Sequence, residues 1–556
     1  MRPLLHSLLF AFCVSSVVSA EDSNGSLQTA PPPSLHDQID RLLTNDADDA
    51  NQQAPIVDDA GFLRRITLDL AGRIPTVDEL QRFQEDPSTD KRERMVHAFL
   101  ESPEYPRRLR DQMHVMLMER LGDDPAWLEY LETAFRENRP WDQVCREILN
   151  PQSDSEQLRG AAWFWTKRLE NYGQNPVDHP ALARDLGRLF LGVDLQCAQC
   201  HDHLFVDDYK QSDFQGLAAF TGHTFIRSDV SFPAVGEKVV ESPVEFASVF
   251  TGTAMKTGPR LPGRQEVEIP QFEKDEQFEL PPDKKTKFPG VPRFRPLALL
   301  AEQVTARDNA LFARNSVNRF WFVMFGRGLV MPLDLQHSGN PPTHPELLDL
   351  LAVEFAAHDF NVKWLLNELA LTQAWQRSSR WTETTDAPTG TQLLPAPYAV
   401  AWERPLSAEQ LLASVIIATG QIDLQPATDS AAAVDEHLQK RRDDHLKKFR
   451  EAFSNIPRDP EVDFRPSVKA ALFLMNDASL TSWFERHPGN TVDHLAELND
   501  AQIPEALYRT VLCRNPTLAE AEFVNQLLSS AGEQRDRTIS HLLWGLVASS
   551  EFVLNH

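Results

Sequence analysis

The chain has 556 residues, 42% of them apolar and 24% charged, with a formal net charge of −26. This is the composition of a globular protein long enough for two to four domains, not of a disordered chain. So acidic a surface repels phosphate backbones and anionic membranes, which disfavours nucleic acid as a partner.

The chain opens "MRPLLHSLLFAFCVSSVVSAEDSNG". Arg2 is a short positive region, Leu8 to Val18 an apolar core too short to span a bilayer, and Val18-Ser19-Ala20 a small-residue cleavage site. This predicts a signal peptide over 1–20, cut after Ala20, and an exported protein: periplasmic, on the cell surface or extracellular. No later apolar run reaches about 18 residues, so no transmembrane segment is expected after cleavage. The polar, Pro-rich residues 21–34 read as a flexible tail.

Helical periodicity then runs over 35–225. "SLHDQIDRLLTN", "KRERMVHAFLES", "PRRLRDQMHVMLMERL" and "PAWLEYLETAFREN" each place apolar residues three or four apart. Thr76 with Glu79 has the spacing of a capping box and marks a helix start. "HPALARDLGRLFLG" should stop at Gly192. From 226 to 294 prolines and glycines crowd in, and "SPVEFASVF" alternates with the period of a strand. The helical period returns over 295–556, with caps expected at Thr343, Ser407 and Thr517. Gly326 should end an aromatic-rich helix, in which Asn318 and Arg319 would satisfy buried backbone groups. Loops are expected near 381–396 and 422–434. "QKRRDDHLKKFR" reads as a solvated helix face. The fold class expected is mainly α: two helical domains, 35–225 and 295–556, joined by a small β-rich or irregular insertion at 226–294.

Chemistry concentrates in "LQCAQCHDHLF", residues 195–205. Covalent attachment of haem requires two thiols one short turn apart, for the two vinyl groups on one porphyrin edge, and an imidazole beside the second thiol for the iron. C-x-x-C-H supplies all three: Cys197 and Cys200 as thioether anchors and His201 as proximal iron ligand, with haem c as cofactor. A structural zinc site would need four ligands, and a thioredoxin-like dithiol a βαβ context; neither is visible. A mixed metal site of His201 with His203, Asp202, Asp207 and Asp208 stays open, as does a disulfide between the two cysteines. His201 and His203 are too close in sequence to be opposite axial ligands of one iron. Candidates for the distal position are His114, Met116, Met255 and His223. The plainer reading of the Met-rich helix is core packing, and of His179 and His223, polar loops. Cys145 and Cys513 lie in apolar helical settings and read as buried thiols before they read as a bridge. G-x-S-x-G, H-E-x-x-H and P-loop motifs are absent.

Several further segments fall in a recognisable order. "FLRRITLDLAGRIPTVDEL", "HVMLMERL", "RLFLGVDLQCAQCHDH" and "DDYKQSDFQGL" are followed by "VNRFWFVMFGRGLV", "NPPTHPELLDLLAVEF", "WQRSS" and "LLWGLVASSEFVLNH". On these the chain resembles a secreted planctomycete cytochrome-c-like family of paired uncharacterised domains, a cytochrome-like domain followed by a planctomycete-specific one. Leu204 stands where that family usually has Pro after H-D-H, and Asn309-Ala310 where it often has Asn-Pro. Neither change touches Cys197, Cys200 or His201. The resemblance implies haem.

The function expected is that of an exported c-type-cytochrome-like protein transferring electrons to a redox partner protein. The alternatives are a cell-surface structural or binding protein stapled by the C-x-x-C, and a metal-dependent enzyme using a His/Asp site. If the signal reading holds, protein from the native host begins at Glu21. N-terminal sequencing that finds Met1 retained overturns it.

Overall fold

The computed structural model describes residues 33–44, 53–171, 176–380, 396–421, 431–458 and 468–556. The expected signal peptide, and the expected tail up to residue 32, lie outside the described residues. So do most of the loops expected near 381–396 and 422–434, although helix already begins at Ala431.

Helices dominate. In the first half they include Asp59–Leu70, Val77–Glu85, Lys91–Leu100, Glu104–Met118, Pro125–Arg136 and Trp141–Leu149, then Gln211–Thr221. Between residues 224 and 292 come three short antiparallel ladders: Thr224–Ile226 with Val235–Glu237, Val244–Ala247 with Ala254–Thr257, and Phe278–Leu280 with Val291–Pro292. Long helices follow, among them Ala310–Phe325, Pro345–Ala357, Ala408–Ala418, Ala431–Phe453 and Arg535–Val547. The architecture is therefore mainly α, with small two-stranded ladders. Among the described residues no helix is long and apolar enough to cross a membrane.

Local signals explain many helix ends. Thr76, Ser407 and Thr517 each form a complete capping box, closing two orphan donors at once. Gly192 (φ 70°) and Gly326 (φ 72°) adopt the left-handed conformation that ends a helix. Thr343 departs from expectation. Helix Pro345–Ala357 starts at His344 without a side-chain cap. Pro345 supplies the fixed φ of a first turn, while the Thr343 amide and hydroxyl both donate to the Leu329 carbonyl. Asn318 bonds Val330 in both directions and Arg319 donates to the Arg188 carbonyl, the backbone-satisfying roles expected of them.

Helix Asp59–Leu70 shows how the halves are joined. Asp58 caps it by accepting from the Gly61 amide at 2.8 Å. Beyond Gly61 it is buried on every side, so its polar residues need partners. Arg64 donates to the carbonyls of Glu551 and Phe552. Arg65 donates to those of Trp375, Arg377 and His556. Asp69 receives both carboxylate bonds from Arg404, at 2.8 Å each, with Asn555 at 2.8 Å and the Trp375 indole at 3.3 Å. Strand Arg404–Pro405 pairs with Leu554–Asn555 beside it. The buried core is continuous from Leu35 to Phe552, and Leu35–His556 forms one compact unit.

The charged run 439–450 is a second departure. Asp444, Lys447 and Lys448 are exposed. Arg442, however, turns inward onto the buried Asp111, and Arg450 onto the buried Glu409 at 2.7 Å and onto Asp123 at 2.5 Å. Arg120 also grips Glu409 at 2.7 Å. Burial alone would raise the Glu409 carboxyl; the two guanidiniums outweigh it and hold the group well below its usual range.

Removing one partner of a buried charge cluster strands the others. We therefore expect Asp69→Leu, which leaves Arg404 unpaired, to cost about 3–5 kcal/mol in urea unfolding. A loss under about 1 kcal/mol, the scale of an exposed ion pair, would show that Asp69 does not hold the halves together.

Candidate functional site

The motif is reached through helix His179–Leu186, one wide turn over Gly187–Leu191, and Gly192. A Cβ at residue 192 would sit 2.4 Å from the Gln336 side-chain nitrogen and 3.0 Å from Asn315 Oδ1. Glycine there ends the helix and also admits the segment from the second half. The Gln336 amide donates to the Gly192 carbonyl at 2.9 Å, and Val193 bridges Leu335.

Buried Leu195 and Ala198 pin the next turn from inside. Residues 197–199 form a single 3-10 turn with Cys197 and Cys200 exposed at its two ends, both free thiols. The turn is held by its backbone. The Gln199 carbonyl accepts from Gln215 at 3.0 Å and Gln211 at 3.4 Å, and Arg184 holds the Gln199 side chain at 2.7 Å. The Cys200 carbonyl accepts from the Val249 amide at 3.1 Å, which ties the loop to the hairpin of Val244–Ala247 and Ala254–Thr257. At the tip of that hairpin, Phe250 lays its ring 4.7 Å from the His201 ring.

His201 Nδ1 lies 2.6 Å from the Asp202 carbonyl. That contact fixes a tautomer with the proton on Nδ1, leaving Nε2 as the basic nitrogen. Nε2 makes no hydrogen bond among the described residues. His203 is committed differently: its Nδ1 accepts from the amides of Phe205 and Val206, at 3.2 and 3.0 Å, and its own amide donates to the Tyr209 carbonyl. Asp202 accepts from the Gln211 amide at 2.9 Å, at the start of helix Gln211–Thr221. Asp208 accepts from the Ser338 amide, and that bond holds its carboxyl below the usual range. Asp207 is exposed. These side chains do not converge, and among the described residues no group of three or more His, Cys, Asp or Glu could hold a metal ion.

The distal candidates are scattered. His114 is fully buried and both ring nitrogens are used, by Asp123 at 2.8 Å and Trp127 at 3.1 Å. Met116 packs against the core. His223 follows the far end of helix Gln211–Thr221, about 16 Å from its start at 1.5 Å per residue, where burial, Lys238 and His179 lower its pKa. Met255 is the candidate whose element touches the motif. It stands opposite Phe246 in the hairpin ladder and is exposed. Cys145 and Cys513 are buried free thiols, and burial pushes both pKa values up.

Two features of the site escape sequence reading. One is an apolar surface around the motif: Leu204, Phe205, Val249 and Phe250 are 63, 90, 67 and 66% exposed. Leu204 and Phe205 follow His203, and Val249 and Phe250 stand on the hairpin tip that meets His201. The other is a cavity of about 400 Å³ beside the motif, lined in part by Leu195, Asp208, Tyr209, His337 and Ser338. Tyr209 and His337 line it and meet edge-on at 5.4 Å, and His203 packs edge-on against Tyr209 at 6.0 Å. The exposed Leu204 and Phe205 following H-D-H could have signalled the first; nothing in the sequence signals the second.

With this geometry in place, the chain can be set beside known families. Residues 38–224 match the family model described as "PSCyt2: Protein of unknown function (DUF1549)", and residues 298–528 the one described as "PSD1: Protein of unknown function (DUF1553)". The chain carries these two domains in tandem, with the three ladders starting at the last residue of the first match and ending before the second. No curated protein and no solved structure matches it.

Exposure divides the cysteines into two classes. In protein made without haem attachment, iodoacetamide should modify Cys197 and Cys200 in the native state, and Cys145 and Cys513 only after unfolding. Peptide mass mapping that finds all four protected, or all four reactive, would contradict the structure.

Proposed function

We propose that the protein is an exported c-type-cytochrome-like electron carrier that holds haem c through Cys197, Cys200 and His201. One observation carries this reading. Two exposed thiols, free among the described residues, flank a single backbone-anchored turn, followed by an imidazole with Nδ1 bonded and Nε2 without a hydrogen-bond partner among those residues. Proximal histidines need that tautomer. Every donor that haem attachment requires is present and reachable from solvent, and the apolar side chains beside them are what a flat apolar macrocycle would cover. Bound haem would supply one-electron chemistry. The chain's own part would be to keep the imidazole oriented through Asp202 and Phe250. Met255, on the hairpin tied to the motif through Val249, would be a candidate residue to help hold the haem. The export signal read at residues 1–20 supports the proposal, since haem is attached to such motifs outside the cytoplasm. A redox partner protein would dock on the remaining apolar rim.

The test uses covalency. Thioether-bound haem survives acid and organic solvent, so protein matured in a c-type-competent host should keep its Soret band through denaturation. Cys197→Ala with Cys200→Ala should abolish the band, and His201→Ala should alter iron ligation. Colourless protein from the native host, with the mass of the bare chain, rejects the proposal. A mass two hydrogens lighter would point instead to a disulfide staple. A stoichiometric metal lost on His203→Ala would point to a metal-dependent enzyme.

A further inference from the structure

The cavity of about 400 Å³ beside the motif has no part in the haem proposal. Three stretches of chain build it: residues 193–209, the Pro262-Gly263 corner of the insertion, and residues 311–348. Val193, Leu195, Leu311 and Leu348, with Pro341 and Pro342, make much of its wall apolar. Most of its polar groups sit on or beside one turn, His337–Asn340.

That turn is locked in place. The Asn340 amide donates to the His337 carbonyl at 2.9 Å, and the Ser338 amide donates to Asp208. His337 Nδ1 accepts from the Gly339 amide at 3.1 Å, so the ring proton sits on Nε2. Tyr209 braces the same ring edge-on and donates its hydroxyl to the Gln336 carbonyl at 3.1 Å. Asn340 gives its side-chain nitrogen to the carbonyls of Leu335 and Met331, at 2.8 and 3.2 Å, and Oδ1 is the end left over. Among the described residues neither His337 Nε2 nor Asn340 Oδ1 has a hydrogen-bond partner, and neither atom is closed off from solvent. Asp208 is exposed, and its bonding to Ser338 leaves the carboxylate further acceptor capacity.

The turn and the residue that ties it down thus present one fixed donor, one amide acceptor and one carboxylate. Hydroxyl groups satisfy such a set, because each donates and accepts at once. An anion would meet Asp208, and Arg314, the arginine in the lining, is paired with Asp349 at 2.5 Å. A flat aromatic ligand finds no open aromatic face, since Tyr209 is 3% exposed and packed edge-on by His203 and His337. The volume lies within the range of small-molecule pockets and suits a mono- or disaccharide. The geometry points to a binding site for a neutral sugar, its hydroxyls met by His337, Asn340 and Asp208 and a C–H face of its ring lying on the proline and leucine wall. This site uses neither thiol nor His201, so it stands or falls without the haem proposal.

Methyl glycosides of glucose, galactose, mannose and fucose are the probes. Cyclohexanol is the hydroxyl-poor counterpart and N-acetylprolinamide the amide one. Saturation-transfer NMR on the full chain should show saturable binding of at least one glycoside, with both counterparts about tenfold weaker or more. His337→Phe keeps a ring against Tyr209 and removes the donor. Asp208→Asn keeps an acceptor for Ser338 and removes the charge. Both should keep the wild-type circular dichroism and melt, and each should weaken the glycoside by about fivefold. No saturable binding of any glycoside, equal affinity for either counterpart, or unchanged affinity in a variant that keeps the wild-type melt would overturn the assignment.

Discussion

Much of the molecule is organised around the burial of one short helix that carries charge. Asp59–Leu70 contributes Phe62, Leu63, Ile66 and Leu68 to the core, and Arg64, Arg65 and Asp69 with them. Burying the apolar residues is favourable anywhere in a protein interior. Burying the charged ones is favourable in one arrangement only, where carbonyls of residues 551–556, 375 and 377 and the Arg404 guanidinium meet them. The helix can therefore enter the core only if the last residues of the chain are already in register beside it. This lets two sequence halves share one core.

The same device recurs along the seam. Arg188 joins Glu119 and Asp185 to Asp334, Arg120 reaches Glu409, and Arg442 and Arg450 reach Asp111 and Asp123. In a chain with a net charge of −26, arginine is the scarce partner, and the structure spends many of its arginines in the interior. Desolvation offsets most of the attraction in such pairs, so they add little net stability. We read them as setting registry: a mispacked helix leaves a carboxylate without its arginine. The sign with pH follows. Glu409 and Asp111 are held below their usual pKa values, against burial, by those arginines. The stability they contribute is complete above the ordinary carboxylate range and is lost as pH falls through the lowered folded values.

What the sequence made legible, and what it hid, follows from the range of each interaction. Capping boxes at Thr76, Ser407 and Thr517 span four residues and could be read directly. So could the stops at Gly192 and Gly326, although the sequence could not say that both glycines also admit a distant side chain, Gln336 and Arg404. Thr343 was misleading because Pro345 already starts its helix and the hydroxyl serves Leu329. The charged run at 439–450 read as solvated because its inward partners lie roughly 40 to 330 residues away. The C-x-x-C-H spacing was plain, whereas the hairpin that covers His201 arrives some 50 residues later from a stretch with little periodicity.

The motif itself is arranged in two layers. Everything that fixes its position is inside or on the backbone: Leu195, Ala198, and the carbonyls of Gln199 and Cys200 held by Gln211, Gln215 and Val249. Everything with chemistry to offer is outside: two thiols, one imidazole nitrogen and an apolar rim. A turn that served only to close a loop would not need this division, because a disulfide supplies its own constraint. Here the turn is already constrained with both thiols free. The exposed side chains therefore take little part in fixing the turn.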